Sequence, residues 1–168
     1  MKNFDTLVRT ALLVAALVPV AVAQDVTSQL RDYTRTIGGE GLTLSLVHLN
    51  EKTVAIMFQP PTMYAMRARA RENTLFYVQG TAQRDVELDT TNFTIEQDGQ
   101  IVTSTPVNIK HFTRGKVTVP RGERVDGVLA FARLIDVSKP FRVRHGGDSV
   151  EFRFTREQIQ AMTPAGQQ

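Results

Sequence analysis

The chain has 168 residues, 42% of them hydrophobic and 22% charged, which is about one domain and too apolar for a disordered segment. The absence of Cys, with only 11 Gly and 7 Pro, excludes disulfide-stapled and collagen-like classes. The net charge is +3, about +2 once an export signal over 1–23 is removed, too small to imply nucleic acid by itself, and no tract of about 20 apolar residues supplies a membrane helix.

Lys2 and Arg9 precede an apolar stretch over 11–23, with Pro19 near its end and the small triplet Ala21-Val22-Ala23. A basic start, a short apolar middle and small residues at a cut form the layout of a cleavable export signal. Such a stretch makes about 20 Å of helix, short of a 30 Å hydrocarbon core. Asp5 is atypical of the basic region; an anchor or a buried N-terminal helix is the alternative. The expected organisation is a signal peptide (1–23), a linker or short helix (24–41), a β-sandwich domain (42–156) and a polar tail (157–168). Losing Lys2, Arg9 and Asp5 with the signal lowers the net charge by one from +3. A periplasmic or secreted product follows, with no integral membrane span after cleavage.

In 24–41, Leu30, Tyr33 and Ile37 are spaced at three and four, which fits a short helix over 26–36 ended by Gly38-Gly39 as well as it fits a linker. From Leu42 the period changes to two: Leu42, Leu44, Leu46 and His48 share one face of a strand. Asn50-Glu51-Lys52 reads as a turn into a second strand over 53–59, stopped by Pro60-Pro61. Segment 63–71 supports two readings. Ala, Met and Arg favour helix, whereas Arg67, Arg69 and Arg71 alternate with Ala68 and Ala70 as on a strand with one basic face. The strand reading is preferred, as part of an edge strand running from about Tyr64 into 74–82.

The rest reads as β. A short strand covers 85–88, and strands over 93–97 and 101–105 flank Asp98-Gly99, a strong hairpin signal. That turn pairs Ile95 with Val102 and Thr94 with Thr103. Strand 116–119 precedes the turn Pro120-Arg121-Gly122. The run 125–135 is apolar on both faces and belongs in the sheet centre. With Gly146-Gly147 as a two-residue turn, Val143 faces Val150, Phe141 faces Phe152, Arg142 faces Glu151 and His145 faces Asp148. Beyond Thr155 the tail is polar, with room for one helical turn.

Many short strands between turn signals indicate an all-β antiparallel sandwich. The stretch 74–154 resembles the immunoglobulin-like extracellular domains of bacterial secreted proteins. The carrying features are Phe93-Thr-Ile-Glu-Gln-Asp-Gly, Pro120-Arg-Gly-Glu with Gly127-Val-Leu-Ala-Phe, and Val150-Glu-Phe-Arg-Phe. The Cys pair and buried Trp of antibody domains are absent. The resemblance implies a fold and carries over no catalytic residue.

Chemistry-bearing residues are sparse. His48, His111 and His145 lie in separate segments, unlike a metal site with ligands at short spacing. His145 beside Asp148 is an acid–base pair or, more simply, the trim of a hairpin end. Met57, Met63 and Met66 suit soft Cu(I), but Met fills cores routinely. Asp85, Glu87 and Asp89 read as a solvated face. Gly38-Gly39-Glu40-Gly41 lacks the Lys-Ser/Thr of a phosphate loop, and no nucleophile elbow occurs.

The suggestive feature is the row Arg67, Arg69 and Arg71 with Tyr64. On a strand it sets guanidiniums ~7 Å apart on one face, suited to acidic groups; protection of an edge strand by charge is the simpler alternative. The expected function is therefore a binding or accessory module without cofactor or catalytic residues. It would engage another envelope or extracellular protein, not nucleic acid, through that edge or basic row. A small periplasmic hydrolase with a loop-built site and a Met/His copper carrier are the competing classes.

Overall fold

In a computed structural model of the chain, residues 20–39, 41–107 and 115–162 are described. Among these described residues ten strands are β1 (Thr34–Gly39), β2 (Leu42–Leu49), β3 (Thr74–Ala82), β4 (Val86–Asp89), β5 (Phe93–Gln97), β6 (Gln100–Val107), β7 (Lys116–Val119), β8 (Arg124–Phe131), β9 (Phe141–His145) and β10 (Asp148–Phe152). Four α-helices are added to them among the described residues: α1 (Val20–Arg31), α2 (Glu51–Met57), α3 (Thr62–Ala70) and α4 (Arg156–Met162). The architecture is mostly β and antiparallel, roughly as the all-β reading implies, with helices added at its margins.

Eight strands form one sheet in the order β1-β2-β3-β8-β6-β5-β9-β10, and β4 pairs with β7 in a separate ribbon. Strand β6 belongs to both halves of the large sheet. Its first residues pair with β5 and its last four with β8. Strand β1 lies alongside β10 without a hydrogen-bonded ladder, so the sheet nearly closes on itself.

The two hairpins marked by glycine turns have the expected registers. Ile95 faces Val102 and Thr94 faces Thr103 around Asp98 (φ 52°) and Gly99 (φ 75°), the positive dihedrals that an Asp-Gly turn supplies. Across β9–β10, Phe141 faces Phe152, Val143 faces Val150 and Arg142 faces Glu151. Phe141 and Phe152 stack in parallel with centroids 5.1 Å apart. The ion pairs beside them run off this register, Arg144 to Glu96 (2.8 Å) and Arg153 to Glu151 (3.3 Å).

Strands β3 and β8 are buried on both faces, which is why 125–131 is apolar throughout. Phe76, Val78, Val125, Leu129 and Phe131 face the main core. Leu75, Tyr77, Val128 and Ala130 face a second cluster with Leu49, Val54 and Met66. Helices α2 and α3 make that outer layer.

Three readings are corrected here. Segment 53–59 is not a strand: α2 starts at Glu51, because Asn50 is an N-cap. Its Oδ1 accepts from the Lys52 and Thr53 amides at 3.0 and 3.1 Å, while Thr53 Oγ1 accepts from the Asn50 amide at 2.9 Å. This reciprocal capping box satisfies backbone donors that a helix start leaves open. Segment 63–71 is helical as well. Met63, Met66 and Ala70, at i, i+3 and i+7, form an apolar stripe on the second cluster; alanine can sit on either a wet or a dry face, so its alternation with arginine carried no apolar phase. The edge strand through Tyr64 is thereby removed.

The third correction concerns the N-terminal segment. The helix ends at Arg31, where Thr34 Oγ1 donates to the Leu30 carbonyl at 2.7 Å, and Thr34–Gly39 pairs with β2 along its whole length. The sheet thus begins inside the segment read as linker or short helix. Residues 1–19 of the export signal lie outside the described residues, and Ala21-Val22-Ala23 falls in the backbone of α1. The tail contributes α4, with Met162 buried in the main core.

Candidate functional site

Helix geometry redistributes the arginine row. At about 100° per residue, Arg69 sits about 200° round from Arg67, whereas Arg71 is displaced by only about 40° and Tyr64 by about 60°. Tyr64, Arg67 and Arg71 therefore share one flank of α3, and Arg69 leaves the group. The Arg67 and Arg71 part of that flank borders a cavity of about 410 Å³, lined by Arg67 and Ala70 of α3 and its C-cap Arg71, by His48 to Glu51, by Asn73 and Thr74, and by Leu134, Ile135, Val137 and Met162.

Two buried polar side chains hold the far wall. Thr74 Oγ1 donates to the Arg133 carbonyl (2.6 Å) and accepts from the Ile135 amide (3.1 Å). Gln97 Nε2 donates to the Asp136 carbonyl and its Oε1 accepts from the Asp136 amide, both at 2.8 Å. These four bonds hold the backbone at 133, 135 and 136, just beyond the end of β8 at Phe131. They leave Leu134 55% exposed at the cavity mouth.

Charge at the cavity is uneven. Arg67 Nε lies 2.8 Å from Glu51 Oε2, an ion pair rather than an aligned hydrogen bond. Arg71 is exposed, and no ion pair or hydrogen bond engages its guanidinium among the described residues. On the inner side, His48 is 6% exposed and its Nδ1 has no hydrogen-bond partner. Burial among Phe76, Phe141 and Phe154 (ring centroids 5.4–6.1 Å away) pushes its imidazole down to about 4. His48 is therefore neutral at ordinary pH, and the cavity's charged lining consists of Glu51, Arg67 and Arg71.

The other candidates do not converge there. His145 stacks on Phe93 at 4.1 Å; burial lowers its pKa, opposed by a hydrogen bond to the Asp89 backbone and by the Asp148 and Asp89 carboxylates. Asp85 Oδ1 accepts from the Arg121 amide (2.8 Å), Glu87 pairs with Lys116 (2.7 Å) and Asp89 caps Thr91 (3.0 Å), all along the β4–β7 ribbon. Met57, Met63 and Met66 pack in the second cluster. His111 and Glu40 lie outside the described residues. Among the described residues no three His, Cys, Asp or Glu side chains group as metal ligands, and no helix is long and apolar enough to cross a membrane.

Of the residues singled out in the sequence, Arg67 and Arg71 line the cavity while Tyr64 and Arg69 do not; Glu51, His48 and the wall at 134–137 were not singled out as parts of one site. Asp136, two residues before Ser138 and followed by Pro140, was the available loop signal: its Oδ1 accepts from the Ser138 amide at 3.0 Å.

No protein-family profile matches the chain, and no curated protein matches it. Among solved structures, the crystal structure of "a putative lipoprotein (ycdA)" from Bacillus subtilis is similar over 77% of this chain, at 12% identity and a TM-score of 0.41. The chain spans 41% of that protein's length. Similarity at this level carries no argument about ligand or activity.

Proposed function

We propose that the chain is an exported, periplasmic or secreted, binding or accessory module with an immunoglobulin-like β-sandwich. It engages another envelope or extracellular macromolecule through the Tyr64, Arg67 and Arg71 flank of α3. Export is supported by the basic start, short apolar stretch and Ala21-Val22-Ala23. The sandwich reading is supported by the two halves of the sheet joined through β6 and by the double-sided burial of β8. The observation that carries the binding reading is Arg71: a guanidinium without an ion pair or hydrogen bond among the described residues, lining a cavity together with the exposed Leu134, with the exposed Tyr64 (61%) on the same flank of α3 outside the lining. Arg and Tyr are side chains that anchor interfaces. Strand addition at this segment is not part of the proposal, since helical backbone has no free ladder to offer.

The test is capture from the native cell envelope with wild type, an Arg67→Ala/Arg71→Ala double variant and Arg69→Ala. The double variant should lose the captured partner and Arg69→Ala should keep it. Equal capture by all three would remove the α3 flank from the account.

A further inference from the structure

We infer that the cavity between α3 and the 134–137 loop is a binding site for a small apolar carboxylate, a molecule with one negative charge on an aliphatic or aromatic body. This rests on the reading above only in taking this end of the domain as the binding face. A volume of about 410 Å³ lies within the roughly 300–1,000 Å³ range of small-molecule sites. Its lining includes the apolar side chains of Leu49, Ala70, Leu134, Ile135, Val137 and Met162. Leu134 and Ile135 keep apolar surface at the mouth that a ligand body would cover.

The sign of the ligand's charge follows from the lining. Two guanidiniums and one carboxylate face the cavity, and the carboxylate is already paired with Arg67. That leaves the equivalent of one positive charge, on Arg71. A monoanion neutralises it, a cation meets repulsion, and a dianion leaves an excess. A carboxylate also matches the guanidinium fork in two parallel N–H···O bonds. Deeper in, His48 offers a neutral ring on an apolar wall, which favours neither charge, so selectivity is concentrated at the mouth.

The experiment is calorimetric titration of the full chain with octanoate, octylamine and octan-1-ol, which share a tail and differ in head charge. Octanoate should bind at one site per chain, with octylamine at least about tenfold weaker. Arg71→Gln should weaken octanoate about tenfold and leave octanol unchanged. Leu134→Asp, at an exposed rim position that tolerates change, should weaken octanoate and strengthen octylamine. Ala70→Phe fills the space and should abolish all three, with a thermal melt checking that it folds; if it does not, the Leu134→Asp and Arg71→Gln results decide.

Octylamine binding as tightly as octanoate, no octanoate binding at millimolar concentration, or indifference to Arg71→Gln and Leu134→Asp together would overturn the inference. Envelope capture that depends on Arg67 and Arg71, without octanoate binding, would overturn this inference and leave the macromolecular reading standing. Octanoate binding without capture would do the reverse.

Discussion

The β9–β10 hairpin and the α2–α3 segment both carry alternating stretches, yet alternation specifies only the first. In the hairpin, one phase is Phe141, Val143, Val150 and Phe152, and the other includes Arg142, Arg144 and Glu151. A shift by one residue would bury charge and expose two phenylalanines, so one register wins. In α3 the two phases are arginine and alanine. Alanine loses little on either face, so the alternation has no energetic consequence. The helical stripe of Met63, Met66 and Ala70 does have one, because it seats on Leu75 and Val128. A period is informative only when its two phases differ in transfer free energy.

The largest expected effect lies in the hairpin. Phe152 is fully buried against Phe76 and Phe141, and Phe152→Ala should destabilise by about 3–5 kcal/mol in denaturant unfolding. A loss below about 1 kcal/mol would mean that the register carries no energetic weight.

What could be read from the sequence divides along the same line. The registers at Asp98-Gly99 and Gly146-Gly147, the two-sided burial of 125–131 and the face shared by Leu44, Leu46 and His48 were all legible, because strong apolar–polar contrast or a turn with obligatory dihedrals marks each. The α2 start was readable in retrospect: Asn50 with Thr53 three residues on is a capping pattern, but the same residues also form turns. The cavity was not legible. Its walls come from residues more than 80 positions apart, such as Glu51 and Leu134, and their meeting depends on Thr74 and Gln97 bonding to backbone that no local pattern points to.

The next effect is a pH dependence centred on His48. The unfolded chain protonates near 6.5, whereas burial holds the folded-state value to about 4. Stability is therefore complete above the unfolded value and is lost as pH falls from about 6.5 to about 4, by about 3 kcal/mol. Unfolding free energies of wild type and His48→Leu across this window check it. The variant should lose this component of the slope, and parallel curves would contradict the burial argument.

Smaller effects test the helical side. Asn50→Ala removes the α2 cap and should cost about 1 kcal/mol, up to about 2; no change in the unfolding midpoint would return 50–53 to a simple turn. Arg69→Ala and Arg142→Ala, both at exposed positions, should each cost under about 1 kcal/mol. A large loss at Arg69 would mean that it has the partner assigned here to the opposite flank.

The central claim is that α3 is a helix and that helicity moves Arg69 away from Arg67 and Arg71. Backbone Cα chemical shifts over 62–70 in the folded chain test it most directly. Consecutive helical shifts from Thr62 to Ala70 are the predicted result. Extended-strand shifts through Arg67, Arg69 and Arg71 would contradict it, put all three guanidiniums back on one face and dissolve the cavity mouth built on Arg71.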